Sequence, residues 1–123
     1  MLSFLQHVSK EARREIVRVM LRDRSQRELA ELMGVSPAAV TKYIYGRTHP
    51  SDDTLMRLVR SASPRELEEI AHIILEDLVG GLISFIDWAS ERRILPVDSV
   101  RSLEEAVGRA RLAASSRRLM IET

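Results

Sequence analysis

An all-α fold is expected from three features of the chain. No stretch alternates apolar and polar residues for long between turn signals, as a half-buried strand would. Apolar residues recur three and four positions apart instead. Between those stripes stand residues that start and stop helices, chiefly serine, proline and glycine.

The elements follow in order. Ile16, Val17, Met20 and Leu21 form a stripe at helical spacing, which predicts a first helix from about Lys10 to Arg22. Ser25-Gln26-Arg27-Glu28 is a capping box. The Ser25 hydroxyl is expected to accept from a free N–H at the helix start, and Glu28 to accept from the Ser25 N–H. Leu29, Ala30, Leu32 and Met33 give the second helix its apolar face, and Gly34 ends it. Ser36 suits an N-cap and Pro37 the first helical position, so a third helix runs to about Tyr45 and stops at Gly46. Residues 47–50 are then a loop. A fourth helix spans Ser51 or Asp52 to Arg60 with Leu55, Leu58 and Val59 inward, and Ser63-Pro64-Arg65-Glu66 opens a fifth.

Beyond residue 66 the pattern broadens. Leu67, Ile70, Ala71, Ile73, Ile74, Leu75, Leu78 and Val79 make a stripe wider than one contact face needs. Gly80-Gly81 leaves three outcomes open: an end, a kink, or a close approach by another backbone. Leu82, Ile83, Phe85, Ile86 and Ala89 continue at helical spacing to about Arg93. Leu95-Pro96 breaks the chain before a last helix capped by Asp98 or Ser102, with Leu103, Val107, Ala110 and Ala114 on one side. The expected organisation is one domain over residues 1–62 and a helical C-terminal region over residues 63–123.

Composition narrows the function classes. Hydrophobic residues at 45% and charged residues at 30% fit a chain that buries a core in water. No apolar stretch reaches the length of a membrane span, and Leu78 to Trp88 is interrupted by Ser84 and Asp87. The opening residues lack a basic leader, apolar run and cleavage site, so a cytoplasmic location is expected. Without cysteine there are no disulfides, thiolate metal sites or thiol nucleophiles. The net charge of +1 divides unevenly. Residues 1–62 carry 11 basic and 7 acidic side chains, or +4; residues 63–123 carry 8 and 11, or −3. A basic first half suits contact with a polyanion.

The informative block is Ser25 to Pro50, SQRELAELMGVSPAAVTKYIYGRTHP. Two short helices joined by Gly34-Val35-Ser36 leave room only for a tight turn, so the second must cross the first at a large angle. Ala30 is small enough for close helix approach, and Val35 and Val40 fill the joint. This is the logic of a helix-turn-helix, whose second helix enters the major groove while the first braces the backbone. The block resembles the lambda repressor/Cro-like helix-turn-helix proteins, often called the XRE family. The resemblance rests on Gln26, Glu28-Leu29-Ala30, Gly34-Val35-Ser36, Val40, Gly46, Pro50 and Leu55, and covers about residues 10–60.

The resemblance implies a five-helix DNA-binding domain, which a helical C-terminal dimerisation region is expected to follow, and it implies roles for single positions. Gln26 matches the position that bonds a phosphate and braces a base-reading side chain. Ser36 matches a phosphate-contacting N-cap. Pro37, Ala38, Thr41 and Lys42 match the outward face of the recognition helix, and Arg47 and Thr48 match the loop that grips the backbone beyond it. Tyr43 matches a core position. Ile44 departs from the pattern, standing where the family commonly has a polar or acidic residue, which either changes the packing around it or marks an added contact with another element. Helical spacing agrees: with Val40 inward, Ala38, Thr41 and Lys42 turn outward. Lys42 can donate to guanine or to a phosphate, whereas Ala38 offers only apolar contact. Part of any specificity is therefore expected from DNA shape.

Plainer readings stand beside these. Tyr43 is expected in the core and Tyr45 is balanced between core and DNA. Arg13 and Arg14 read as a solvated helix face, and Arg24 as a possible phosphate contact. The surplus apolar surface of Leu67 to Ala89 points to a second chain, giving a homodimer through the C-terminal helices. Glu69-x-x-His72 shares one helical face, but a di-iron site needs a second such pair and more carboxylates. With no phosphate loop or Ser/His/Asp spacing either, neither enzyme chemistry nor a cofactor is expected. The leading expectation is a transcriptional regulator, most simply a repressor, that inserts helix 37–45 into the major groove of double-stranded DNA. An antitoxin whose C-terminal helices cap a toxin, an adaptor that touches only proteins, and a CRISPR-repeat or chromosome-organising protein are the alternatives.

Overall fold

The computed structural model describes residues 2–122, with side chains as far as residue 117. Its described residues form a 3-10 turn, Ser3–His7, and six α-helices. These are α1 (Lys10–Leu21), α2 (Gln26–Met33), α3 (Pro37–Ile44), α4 (Asp52–Ser61), α5 (Pro64–Glu91) and α6 (Val97–Glu122). The chain divides into two compact units, the first ending at Leu82 and the second beginning at Ile83.

Serine starts most of the helices in the first unit. The hydroxyls of Ser9, Ser25, Ser36, Ser51 and Ser63 each accept from the backbone N–H three residues on, at 3.1–3.3 Å. Each such cap contributes about 1 kcal/mol by satisfying a donor that the helix leaves free. The capping box expected at Ser25 forms only this half. The pair at Ser63 forms both halves, because the Ser63 N–H also donates to Glu66 at 2.9 Å.

Helix ends are equally legible. Gly34 sits at φ 72° and Gly46 at φ 70°. At the first, the Val35 N–H reaches the Ala30 carbonyl and the Gly34 N–H reaches Glu31. At the second, Arg47 reaches Lys42 and Gly46 reaches Tyr43. These paired bonds satisfy carbonyls that would otherwise be orphaned.

The core of the first unit gathers one face from every helix. Ile16, Val17 and Met20 of α1, Leu29 and Met33 of α2, Val40 and Tyr43 of α3, Leu55 and Leu58 of α4, and Ile70 of α5 are all buried. Leu5 of the 3-10 turn joins them, an element that no sequence signal announced. Polar contacts fasten the first half of α5 to this core. The Asp77 carboxylate accepts from the N–H and the hydroxyl of Ser9, at 2.9 and 2.6 Å, and so caps the residue that caps α1. Glu69 pairs with Arg22 at 3.0 Å.

α5 runs through Gly80-Gly81 as continuous helix, and a Cβ at either glycine would meet nothing within 4 Å. In the second unit, the turn after α5 sets Arg93 at φ 54°, a left-handed residue without the freedom of glycine. The Ile94 N–H there closes onto Ala89. α6 begins directly after Pro96, ahead of both expected caps. Ala89 is buried, whereas Phe85 and Trp88 lie half open with ring centroids 6.2 Å apart. Arg92 covers the Trp88 ring at 4.3 Å.

Candidate nucleic-acid interface

Three residues separate α2 from α3, and the turn is held from both sides. Gly34 supplies the left-handed backbone, and Val35 packs against the core. A side-chain bond crosses the joint: the Thr41 hydroxyl of α3 donates to Gln26 Oε1 at the start of α2, at 2.9 Å. With its oxygen so engaged, the Gln26 amide directs its N–H groups outward, where they can donate to an acceptor such as a phosphate.

The two faces of α3 differ sharply. Val40 and Tyr43 are buried, and Ala39 and Ile44 pack partly against the core. The extra contact expected of Ile44 is this packing, joined by a bond from Arg14 Nε to the Ile44 carbonyl at 2.7 Å. Pro37, Ala38 and Lys42 lie exposed on the other face, with Thr41 half-buried between them. Ser36 at the helix start and Arg47 and Thr48 beyond its end are also exposed. The eight residues singled out from sequence therefore lie at the start of α2, along the outward side of α3 and in the following loop. Of the two tyrosines, Tyr43 is in the core and Tyr45 is 67% exposed, with the Arg47 guanidinium 5.9 Å over its ring.

Three arginines differ from their sequence reading. Arg13 is 6% exposed and lies far from solvent. Its guanidinium donates to the carbonyls of Leu5, Val8 and Pro50 at 2.6, 3.0 and 2.8 Å, and pairs with Asp52 at 2.7 Å. It anchors the 3-10 turn, the end of the α3–α4 loop and the start of α4 to one point. Arg14 is likewise occupied, at the Ile44 carbonyl at the end of α3. Arg24 faces no phosphate: both of its terminal nitrogens bind the Glu66 carboxylate, the second at 3.0 Å. That bond, with the Ser63 contacts, holds the Glu66 carboxyl down at about 2, against the cost of burial. None of these roles has a local signature, since each partner lies far along the chain or on the backbone.

Sequence reasoning also passed over a basic depression beside the end of α3. It has a volume of about 210 Å³, and Lys10, Arg14, Arg47 and His49 line it with Glu11. The positive charge near α3 thus extends to the first turn of α1. Elsewhere, Glu69 and His72 do not converge, because His72 pairs with Glu76 at 3.0 Å. No group of three or more metal-ligating side chains occurs among the described residues. No described helix is long and apolar enough to cross a membrane.

Comparison with known families turns on the same region. A family model described as helix-turn-helix matches residues 15–62, which spans α2, the turn, α3 and α4. Residues 15–62 are a helix-turn-helix domain of the lambda repressor-like kind. The match covers less than half of the chain and leaves α5 and α6 outside it. No curated protein and no solved structure matches the chain. Within the matched residues, α2 and α3 are the two helices on either side of the turn.

Proposed function

We propose that the protein binds double-stranded DNA sequence-specifically and regulates transcription, most simply by occupying a promoter as a repressor. Residues 37–45 enter the major groove. Lys42 donates to a base or a phosphate, Pro37 and Ala38 pack on base edges, and Gln26 and Ser36 bind the backbone before the helix. Arg47 and Thr48 grip the backbone after it. The observation that carries this reading is the open outward face of α3, set across the turn by the Gln26–Thr41 bond. The DNA-binding segment is residues 1–62. Residues 63–123 supply the contact with a second copy, which matches two-fold related half-sites. No catalytic role is assigned, and the protein resides where the chromosome is.

Titration of specific and scrambled duplexes at several salt concentrations tests the proposal. Lys42→Ala should cost roughly 1–3 kcal/mol on the specific duplex alone if Lys42 reads guanine. A phosphate contact would instead weaken both duplexes equally and lower the salt slope by about one. A chain that binds no duplex in a salt-sensitive way is not a regulator of this kind, and an adaptor role would replace it.

A further inference from the structure

We infer that the basic depression beside the end of α3 seats one phosphate of the DNA backbone, bound by Lys10, Arg14 and His49 together with Arg47. The seat presupposes the DNA binding proposed above, but it reaches the first turn of α1 and lies off the outward side of α3. The resemblance that singles out Arg47 and Thr48 gives no role to Lys10, Arg14 or His49.

Charge is the first ground. Lys10, Arg14, Arg47 and His49 line the depression, and Glu11 is the one carboxylate among its lining residues. Among the described residues, none of the four basic side chains forms a salt bridge. Three fixed positive charges against one negative thus converge on a concave surface, where protein walls concentrate their field. Donors are the second. Arg14 gives its Nε to the Ile44 carbonyl at 2.7 Å, which fixes the guanidinium, while its Nη nitrogens bond to no protein acceptor. No buried side-chain nitrogen of the described residues lacks a partner, so these Nη donors are open to solvent. A Cβ at Gly46 would stand 3.4 Å from Arg14 Nη1, and glycine leaves that nitrogen uncovered. Fixed guanidinium donors that face solvent form strong charge-assisted bonds with phosphate oxygens.

The third ground is that both walls are held in place. Arg13 Nη1 fixes the Pro50 carbonyl at 2.8 Å, at the end of the loop that carries His49. Asp77 fixes Ser9, the cap of the turn that carries Lys10, at 2.9 and 2.6 Å. Lys10 and His49 therefore approach a phosphate from elements already ordered, which lowers the cost of binding. Volume sets the class of ligand. About 210 Å³ is below the roughly 300–1,000 Å³ of sites that enclose an organic ligand, and the lining is mainly polar. A single phosphate group fits, with the rest of the polymer outside. Arg47 and Thr48 line the same depression, so backbone gripped by that loop leads into it.

The test uses the full chain, with the tightest duplex it selects from a random library and a scrambled duplex, each titrated at several salt concentrations. Lys10 is exposed, so Lys10→Ala should melt as the parent does. It should weaken both duplexes alike, several-fold at low salt, and lower the salt slope by about one. Glu11→Gln removes the opposing charge and should tighten both. Arg65→Ala, on α5, removes the same charge outside the depression and should change neither. Neutral methylphosphonates, placed one at a time along the selected duplex, locate the contact. One position should weaken the parent several-fold and leave Lys10→Ala unaffected, and it should differ from the position to which Gln26→Ala is blind. An unchanged salt slope in Lys10→Ala overturns the inference. So does an equal loss in Arg65→Ala, a loss confined to the selected duplex, or a selected duplex with no position to which Lys10→Ala is blind. Duplex titration separates the two proposals. Specific binding that ignores Lys10→Ala removes the phosphate seat and keeps the regulator reading. Equal binding to every duplex, with a slope that Lys10→Ala lowers, does the reverse, and a parent that binds no duplex removes both.

Discussion

Glutamate 66 lies where the helix-turn-helix domain meets the long fifth helix, and its replacement by glutamine isolates one charge. The side chain is 8% exposed and accepts from Arg24 through both oxygens and from the Ser63 N–H. Its pKa falls from 4.5 to about 2, with the Arg24 bond as the largest cause. That difference corresponds to about 3 kcal/mol of preference for the charged form in the folded state. Because the folded pKa lies below the unfolded one, this stabilisation is fully present above pH 4.5. It fades as the pH falls toward 2, once the unfolded chain takes up the proton first. Glu66→Gln keeps the size and one accepting oxygen but loses the charge and the second acceptor that the Arg24 guanidinium binds. The variant should therefore lose about 3 kcal/mol at pH 7, a large share of the roughly 5–15 kcal/mol that holds a domain folded. Urea unfolding followed by circular dichroism at pH 7, 4 and 2.5 measures both quantities. A gap under 0.5 kcal/mol at pH 7, on the scale of an ordinary surface substitution, or a gap that persists undiminished at pH 2.5, would show that the pair is not a fastening.

Three further substitutions probe other parts of the argument. Arg13→Met removes the donors of three buried carbonyls and should cost about 3–5 kcal/mol in the same unfolding assay, with greater protease sensitivity in the 47–50 loop. A cost below 1 kcal/mol would mean that water replaces the guanidinium. Gly34→Ala places a Cβ at φ 72° and 2.3 Å from Arg57 Nη1, so it should lose at least 1–2 kcal/mol. An unchanged melt would contradict the left-handed assignment. Arg93→Gly relieves a left-handed residue and should raise stability by up to about 1 kcal/mol, read as a later thermal transition of residues 83–123 by hydrogen exchange. Earlier exchange there would refute it.

What the sequence disclosed was local. Ser25, Ser36, Pro37, Gly34 and Gly46 act on backbone groups within a few residues, so their meaning survives without knowledge of the fold. The outward position of Lys42 and the inward one of Tyr43 follow from the helical period once Val40 is placed. Arg13, Arg24 and Asp77 were opaque for the opposite reason. Arg13 meets a carbonyl 37 residues away, Arg24 a carboxylate 42 away and Asp77 a serine 68 away. A buried arginine fully occupied by carbonyls has the same neighbours in sequence as one on the surface. The 3-10 turn at residues 3–7 was missed because Leu5 and the Arg13 clamp hold it, not its own propensity. Gly80-Gly81 carried an ambiguous signal, and continuous helix prevailed where no other backbone approaches.

Under the proposed function, the chemistry along the outward side of α3 bears on how DNA targets could be catalogued. Proline, alanine and a threonine already bound to its neighbour leave a single long amine to distinguish one letter from another. Such a surface tolerates many spellings and is sensitive to groove width and the ease of bending. A catalogue built from aligned consensus letters would then miss genuine targets that a ranking by duplex stiffness recovers.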